Sequence, residues 1–225
     1  SLKPHCMGTL YWQLNDTYPV ASWASLDYGG QWKLLHYMAR RFFRPLNVVA
    51  VPEDDAIVLK AVNDTPARAE LYLEVEAVDV GGRTRKIFTG HGSVSPDAAR
   101  ELARLAPDDL TPGEFLSFTW RDRAGTFIGE NDYFPRPYKA YDLVPAKVRA
   151  KWERDDAGPV LVLSADRPAL FVTATTDVPG YFSDNALTLL PGREERLGFT
   201  PRHGARVTQK ALASGLRVRH LRETY

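Results

Sequence analysis

The chain has 225 residues, of which 44% are hydrophobic and 25% charged, a composition typical of a globular protein that buries one or two cores. Its 29 basic and 28 acidic residues leave a net charge of +1, which gives no reason to expect nucleic acid or an anionic membrane as a partner. One cysteine, Cys6, excludes an intrachain disulfide framework and any multi-cysteine metal site.

No apolar run approaches the roughly 20 residues that span a bilayer, and the start, SLKPHCMG, has no apolar leader segment. These features favour the cytoplasm while leaving the compartment open. The start also has no initiator methionine, so we expect this chain to be a fragment of a longer protein. Its oligomeric state cannot be predicted from the sequence.

The first 45 residues are predicted to form one strand, a long loop and one helix. Residues 8–14 are short, β-branched and aromatic, which favours a buried strand, and a helix is predicted over residues 30–44. Its apolar positions recur at three- and four-residue steps: Trp32, Leu35, Met38, Ala39 and Phe42. Because one strand and one helix cannot cover both faces of the strand, we expect the helix to dock on the sandwich that follows.

From residue 46 the chain becomes a series of short strands separated by turn residues, which is typical of an antiparallel sandwich. The predicted strands of this first sandwich are 56–62, 71–77, 83–89, 115–120 and 126–128. Residues 95–105 are ambiguous: Ser95 and Pro96 suit a helix start, and the sandwich context favours a strand just as well.

Residues 131–145 are rich in proline and aromatic residues and are predicted to be an ordered linker between two domains. A second set of strands follows, at 148–152, 160–164, 169–174, 196–200 and 216–220. The fold class is therefore mainly β, with two immunoglobulin-like β-sandwiches preceded by one βα unit. The predicted domains are 1–45, 46–137 and 138–225.

Two stretches carry a resemblance to a known family. The run MGTLYWQLNDTYPVASWASLDYGGQWKLLHYMARRFF resembles the last strand and helix of the (β/α)8 catalytic barrel in the β-mannosidases of glycoside hydrolase family 2. The run GYFSDNALTLLPG, residues 180–192, resembles part of their C-terminal immunoglobulin-like domain. A complete barrel takes about 250 residues, so most of the barrel is not in this chain.

The resemblance implies a retaining exo-glycosidase that removes terminal β-linked mannose from the non-reducing end of oligosaccharides without a cofactor. Such enzymes need two carboxyl groups, which in this family are glutamates on earlier barrel strands. No glutamate occurs before Glu53, so we expect no catalytic residue in this chain and no activity from it alone. Its partners would be a β-mannoside oligosaccharide and the rest of the barrel.

By the same resemblance, Trp12 is the residue on which the non-reducing-end sugar stacks, because the apolar C–H face of a pyranose packs against an indole. Asn15 and Asp16 follow it, and either bind sugar or hold the loop in place. Without the resemblance, Trp12 would be interpreted as a core residue. Trp23 and Trp32 are predicted to be packing residues.

Several other readings remain open. The parent enzyme could be another member of the family, such as an exo-β-glucosaminidase or a β-galactosidase. The chain could also be a non-catalytic carbohydrate-binding module, given its 11% aromatic content, or an immunoglobulin-like interaction module. The histidines show no metal-binding spacing, so no metal site is predicted. Ser183, Asp184 and Asn185 are interpreted as a turn rather than a hydrolase site, since no G-x-S-x-G elbow surrounds them.

Overall fold

The structure is a computed structural model that describes residues 2–202 and 207–225. The chain divides into two compact units. The first comprises residues 2–9 and Phe42–Asp142, and the second comprises Leu10–Arg41 and Leu143–Tyr225. Among the described residues, no helix is both long and apolar enough to cross a membrane.

The first unit is an antiparallel sandwich. Its strands are β1 (Leu46–Glu53), β2 (Ala56–Asn63), β3 (Ala69–Val78), β4 (Thr84–Val94), β5 (Ala98–Leu105), β6 (Phe115–Arg121) and β7 (Phe127–Tyr133). One sheet has the order β1-β2-β5 and the other the order β4-β3-β6-β7. Inward side chains alternate along β3 as the sequence predicts, and Trp120 is a buried core residue, also as predicted.

The ambiguous segment 95–105 is resolved as strand β5, which pairs antiparallel with β2. Ala103 and Leu105 are buried in the core of the first unit, whereas Arg104 between them is exposed. The segment contains good helix formers, but pairing with β2 satisfies its backbone and buries alternate side chains. Tertiary context therefore overrides helix propensity here.

The second unit is also built on a sandwich. Its strands are β8 (Val148–Asp155), β9 (Gly158–Ala165), β10 (Ala169–Thr175), β11 (Gly180–Phe182), β12 (Leu187–Leu189), β13 (Glu194–Pro201) and β14 (Arg217–Arg219). The sheets have the orders β11-β13-β9-β8 and β12-β10-β14. The short strands β11 and β12 were not predicted, and neither was helix α2 (Gln209–Ser214), which begins after the N-cap Thr208. Trp152 is buried in this core, as predicted.

Helix α1 runs over Leu34–Phe42, and it packs in the second unit. Tyr37 is 3% exposed and lies in the same core as Trp152 and Phe182, and its hydroxyl accepts a hydrogen bond from the backbone N–H of Phe182 (3.3 Å). The expectation that this helix docks on the first sandwich is therefore wrong. The predicted face is also partly wrong, because Tyr37 is the buried residue and Met38 is 37% exposed.

Arg41 adds a polar anchor between α1 and the loop after β11. Its guanidinium makes a two-pronged contact with the carboxylate of Asp184 (2.7 and 3.2 Å) and donates to the carbonyl of Ala186 (3.0 Å). A planar guanidinium matches a carboxylate in this geometry better than a lysine would. The apolar pattern could not reveal this contact, because it depends on a polar side chain at the edge of the helix.

The predicted strand at residues 8–14 does not form, and Leu10 is 99% exposed. Among the described residues, the backbone of this segment pairs with one short stretch, where the N–H groups of Ser25 and Leu26 donate to the carbonyls of Gln13 and Leu14. A strand needs neighbours along its length to satisfy its backbone groups, and the nearest bridge among the described residues lies just after this segment, between Asn15 and Leu26. The aromatic and β-branched residues were therefore not enough to make a strand.

Candidate functional site

The three residues singled out from the sequence lie on one loop of the second unit, between Leu10 and α1. Two isolated bridges close this loop on itself, Asn15 with Leu26 and Leu26 with Trp32. The carbonyl of Ser25 accepts from the backbone N–H of Lys33 (2.9 Å), which ties the loop to the start of α1. The loop is thus held by backbone hydrogen bonds rather than by a large buried face.

Trp12 is 75% exposed, so it is not a core residue in this structure. The peptide bond that follows it is cis. Three more aromatic residues of the loop are also largely exposed, namely Tyr18, Trp23 and Tyr28. The prediction that Trp23 is a packing residue is wrong, because Trp23 is 70% exposed.

Trp32 is a packing residue, as predicted. It lies partly buried against the core of the second unit, and its ring stacks on Tyr181 with centroids 4.6 Å apart and planes 9° from parallel. Its indole is therefore covered by protein and offers no free face comparable to that of Trp12.

Asp16 is buried, with 3% of its surface exposed, and its carboxylate is fully engaged inside the loop. It accepts hydrogen bonds from the ammonium of Lys33 (2.7 Å) and from the hydroxyl of Ser22. The Lys33 ammonium, and secondly the Ser22 hydroxyl, hold the pKa of Asp16 below its ordinary value. These contacts tie the Asp16 carboxylate to Lys33 and Ser22 within the loop.

Asn15 is exposed beside Asp16, and its amide nitrogen donates to the carbonyl of Asp16 (3.1 Å). Only one of the two amide protons is needed for that bond, and the amide oxygen accepts from no donor among the contacts found in the described chain. Asn15 is thus the polar group of the predicted set that has spare hydrogen-bonding capacity next to the exposed indole.

Ser25 and His36 are site residues that the sequence did not reveal. Ser25 is fully buried, and its hydroxyl lies 2.9 Å from the carbonyl of Leu14, 3.0 Å from the hydroxyl of Tyr11 and 3.0 Å from Nδ1 of His36. Burial lowers the pKa of His36, which favours its neutral form. No pattern in the sequence ASWAS distinguishes a buried serine with several hydrogen bonds from a serine in an exposed loop.

The Ser183-Asp184-Asn185 segment is a turn whose side chains bond the backbone, as predicted. The amide of Asn185 forms two hydrogen bonds with the backbone of Ala174 (2.9 and 2.8 Å), and the hydroxyl of Ser183 accepts from the N–H of Gly198 (3.0 Å). Within the described ranges, no group of three or more histidine, cysteine, aspartate or glutamate side chains is placed to hold a metal ion.

The loop therefore presents the exposed indole of Trp12 and the partly free amide of Asn15 on a backbone that is held by hydrogen bonds within the loop. This arrangement suits stacking and hydrogen bonding with a polyhydroxylated ring. It supplies no pair of free carboxylates, because Asp16 is bound to Lys33 and Asp27 accepts from the backbone N–H of Gln31 (2.7 Å).

Comparison with known proteins finds that the chain is similar to β-mannosidases over part of their length. A family model described as an Ig-fold domain, Ig_mannosidase, matches residues 143–224. The β-mannosidase of Capra hircus is 51% identical over 73 residues, which are 32% of this chain and 8% of that protein. β-Mannosidase A of Aspergillus clavatus is 29% identical over 237 aligned residues, covering 88% of this chain and 24% of that protein.

Two solved structures share the fold. The β-D-mannosidase of Dictyoglomus thermophilum has a TM-score of 0.84 at 24% identity, covering 97% of this chain and 26% of that chain. The exo-chitosanase CsxA of Amycolatopsis orientalis has a TM-score of 0.69 at 18% identity, covering 93% of this chain and 29% of that chain. The mainly β fold and the predicted resemblance to β-mannosidases are thus confirmed, and the chain spans about a quarter of the length of the fungal relative.

Proposed function

We propose, from the similarity of this chain to β-mannosidases in sequence and fold, that it belongs to a retaining exo-β-mannosidase. The whole enzyme would hydrolyse terminal non-reducing β-D-mannose residues. Two sequence relatives support this proposal. The mammalian β-mannosidase aligns with about a third of this chain, and the fungal one aligns with most of it. In this proposal the chain supplies part of the substrate site and two supporting domains, 46–137 and 138–225.

The exposed indole of Trp12 is the observation that carries the proposal. A tryptophan that is 75% exposed at the end of an apolar run gains little from packing, and its face is free for a sugar ring. Asn15 lies three residues further on with an amide able to bond a hydroxyl group. Asp16 would act indirectly, by holding the loop through Lys33 and Ser22.

The catalytic pair is assigned to other residues of the enzyme. A retaining glycosidase needs two carboxyl groups about 5–5.5 Å apart, one as nucleophile and one as acid/base. The two carboxylates of the loop after Trp12, Asp16 and Asp27, are both engaged in hydrogen bonds that hold the loop. We therefore expect the chain by itself to bind at most weakly and to cleave nothing.

The test compares two tryptophans of the same loop in the enzyme expressed from its natural reading frame. Trp12→Ala removes the proposed platform, and Trp23→Ala removes an indole of similar exposure, 70% against 75%. Loss of a stacked sugar contact worth about 1.5 kcal/mol should lower kcat/KM on an aryl β-mannoside about tenfold for Trp12→Ala. Trp23→Ala should stay within about twofold of the parent.

Equal effects of the two substitutions would contradict the role of Trp12. The identity of the sugar is tested separately with the parent enzyme, on aryl β-mannoside and aryl β-glucosaminide. Preference for the mannoside supports the proposal, and preference for the glucosaminide would reassign the enzyme to the exo-β-glucosaminidases. The CsxA structure shares the fold alone and does not favour either sugar.

A carbohydrate-binding module is the second candidate, favoured by the four exposed aromatic residues of the loop, Trp12, Tyr18, Trp23 and Tyr28. Such a module would bind sugar without the rest of an enzyme. Titration of the chain with mannobiose and longer manno-oligosaccharides by calorimetry separates the two functions. Saturable heat would favour the module, and the enzyme proposal predicts none.

A further inference from the structure

We propose that Ser25 and His36 are positioning residues for Trp12, and that they fix the orientation of its indole through the backbone on both sides of it. The inference rests on the proposed function, in which Trp12 contacts the sugar. Neither residue is placed to contact a sugar on the exposed indole. Ser25 is fully buried, and His36 lies on α1 with its ring against the Ser25 hydroxyl.

Ser25 contacts the chain on both sides of Trp12. Its backbone N–H donates to the carbonyl of Gln13 (3.1 Å), and its hydroxyl lies 2.9 Å from the carbonyl of Leu14. On the preceding side, the same hydroxyl lies 3.0 Å from the hydroxyl of Tyr11. One buried serine thus connects the residue before Trp12 with the two residues after it.

The partners of the Ser25 hydroxyl determine the direction of each hydrogen bond. A serine hydroxyl has one proton and two lone pairs, and a carbonyl oxygen can only accept. The Ser25 proton therefore goes to the carbonyl of Leu14. The remaining two contacts are hydrogen bonds only if the hydroxyl of Tyr11 and Nδ1 of His36 both donate to Ser25.

This assignment fixes the tautomer of His36. The neutral imidazole carries one proton, and here the proton must be on Nδ1. Burial lowers the pKa of His36 and so favours the neutral form. The contact is retained in either protonation state, because the imidazolium also carries a proton on Nδ1.

His36 transfers the rigidity of α1 to the loop. The next residue, Tyr37, is buried in the core of the second unit, so the helix backbone at this point is fixed. The ring of His36 also packs edge-on against Trp32 with centroids 4.5 Å apart. A side chain held on two sides, donating to a fully buried hydroxyl, restricts the loop more than an exposed contact would.

A pair of substitutions at His36 tests the hydrogen bond apart from the packing. Asparagine places an N–H donor near the position of Nδ1, whereas glutamine places its donor further out, near Nε2. Both remove the imidazole ring and its contact with Trp32. His36→Asn should therefore retain kcat/KM on the aryl β-mannoside within about threefold, and His36→Gln should lose about tenfold, as Ser25→Ala should.

A second readout does not depend on activity. With 5-fluorotryptophan incorporated into the chain, the ¹⁹F resonance of Trp12 is assigned by its loss in Trp12→Phe. We expect this resonance to shift or broaden in Ser25→Ala and His36→Gln and to stay in place in His36→Asn, while the Trp120 resonance is unchanged in all three. A Trp12 resonance that responds equally to both His36 substitutions, or to none, would overturn the inference.

The two readouts also separate failure of this inference from failure of the proposed function. If Trp12→Ala leaves kcat/KM unchanged, the proposed function fails and the ¹⁹F pattern still decides whether Ser25 and His36 position the indole. If Trp12→Ala lowers kcat/KM as expected but His36→Asn and His36→Gln behave alike in both readouts, the function stands and the positioning role is refuted.

Discussion

Replacing Tyr37 by alanine should destabilise the second unit and leave the first unit unchanged. Tyr37 is 3% exposed and lies among Trp152 and Phe182, so its removal leaves a cavity of the kind that costs about 3–5 kcal/mol for a large buried side chain. The substitution also leaves the backbone N–H of Phe182 without the Tyr37 hydroxyl. Met38→Ala is the matched control on the same helix, since Met38 is 37% exposed, and should cost about 0.5 kcal/mol.

Hydrogen exchange followed by mass spectrometry measures each unit separately. At 1.4 kcal/mol for each factor of ten, exchange from globally protected amides in β8–β10 should accelerate about 10²–10³-fold in Tyr37→Ala. Peptides from β2, β3 and β6 should exchange at the parent rate. Faster exchange in the first unit instead, or an equal effect of Met38→Ala, would refute the placement of α1 in the second core.

Three further substitutions test individual contacts by urea unfolding. Asp16→Asn should lower the free energy of unfolding at pH 7. The difference from the parent should shrink as the pH falls below 3.8, the ordinary pKa of aspartate, because Lys33 lowers the pKa of Asp16 in the folded state and the stabilisation by the charged carboxylate is lost on protonation. A difference that does not change with pH would contradict this. Asn185→Ala should cost about 2–4 kcal/mol, since two backbone groups of β10 lose their partners; a cost under about 1 kcal/mol would contradict it. Gly129→Ala should cost about 1–3 kcal/mol, because a Cβ there would lie 2.5 Å from the buried ring of Trp120; an unchanged midpoint would contradict it.

The sandwich strands were predictable because their signal is local. Alternating apolar residues in β3 and the aromatic run of β6 indicate which face is buried, whatever the strand pairs with. The segment 95–105 shows the limit of such local prediction. Ser95 and Pro96 favour a helix, and the strand forms because the segment pairs with β2. The short strands β11 and β12, three residues each, carry too few positions for a pattern to be visible.

The position of α1 was mispredicted for a different reason. A helical pattern identifies an apolar face but not the surface that covers it, and Tyr37 was not counted as part of that face. The partner is specified by long-range contacts, such as that of Arg41 with Asp184, 143 residues away. No local pattern in the sequence identifies Asp184 as the partner of Arg41.

The candidate site was predictable only in part. The resemblance drew attention to Trp12, Asn15 and Asp16, and the structure places all three on one loop. The three differ in exposure, since Asp16 is buried against Lys33 while Trp12 is exposed. Ser25 was missed because a buried hydroxyl with three partners has the same sequence signature as a serine in a solvated turn.

We propose that this chain carries a sugar-stacking indole while the carboxyl pair that cleaves the bond lies on other residues. The most direct measurement is mannose release from an aryl β-mannoside by the purified 225-residue chain, beside the enzyme expressed from the natural reading frame. We expect the chain to match the uncatalysed rate and the enzyme to turn over. Release of mannose by the chain alone would contradict the claim.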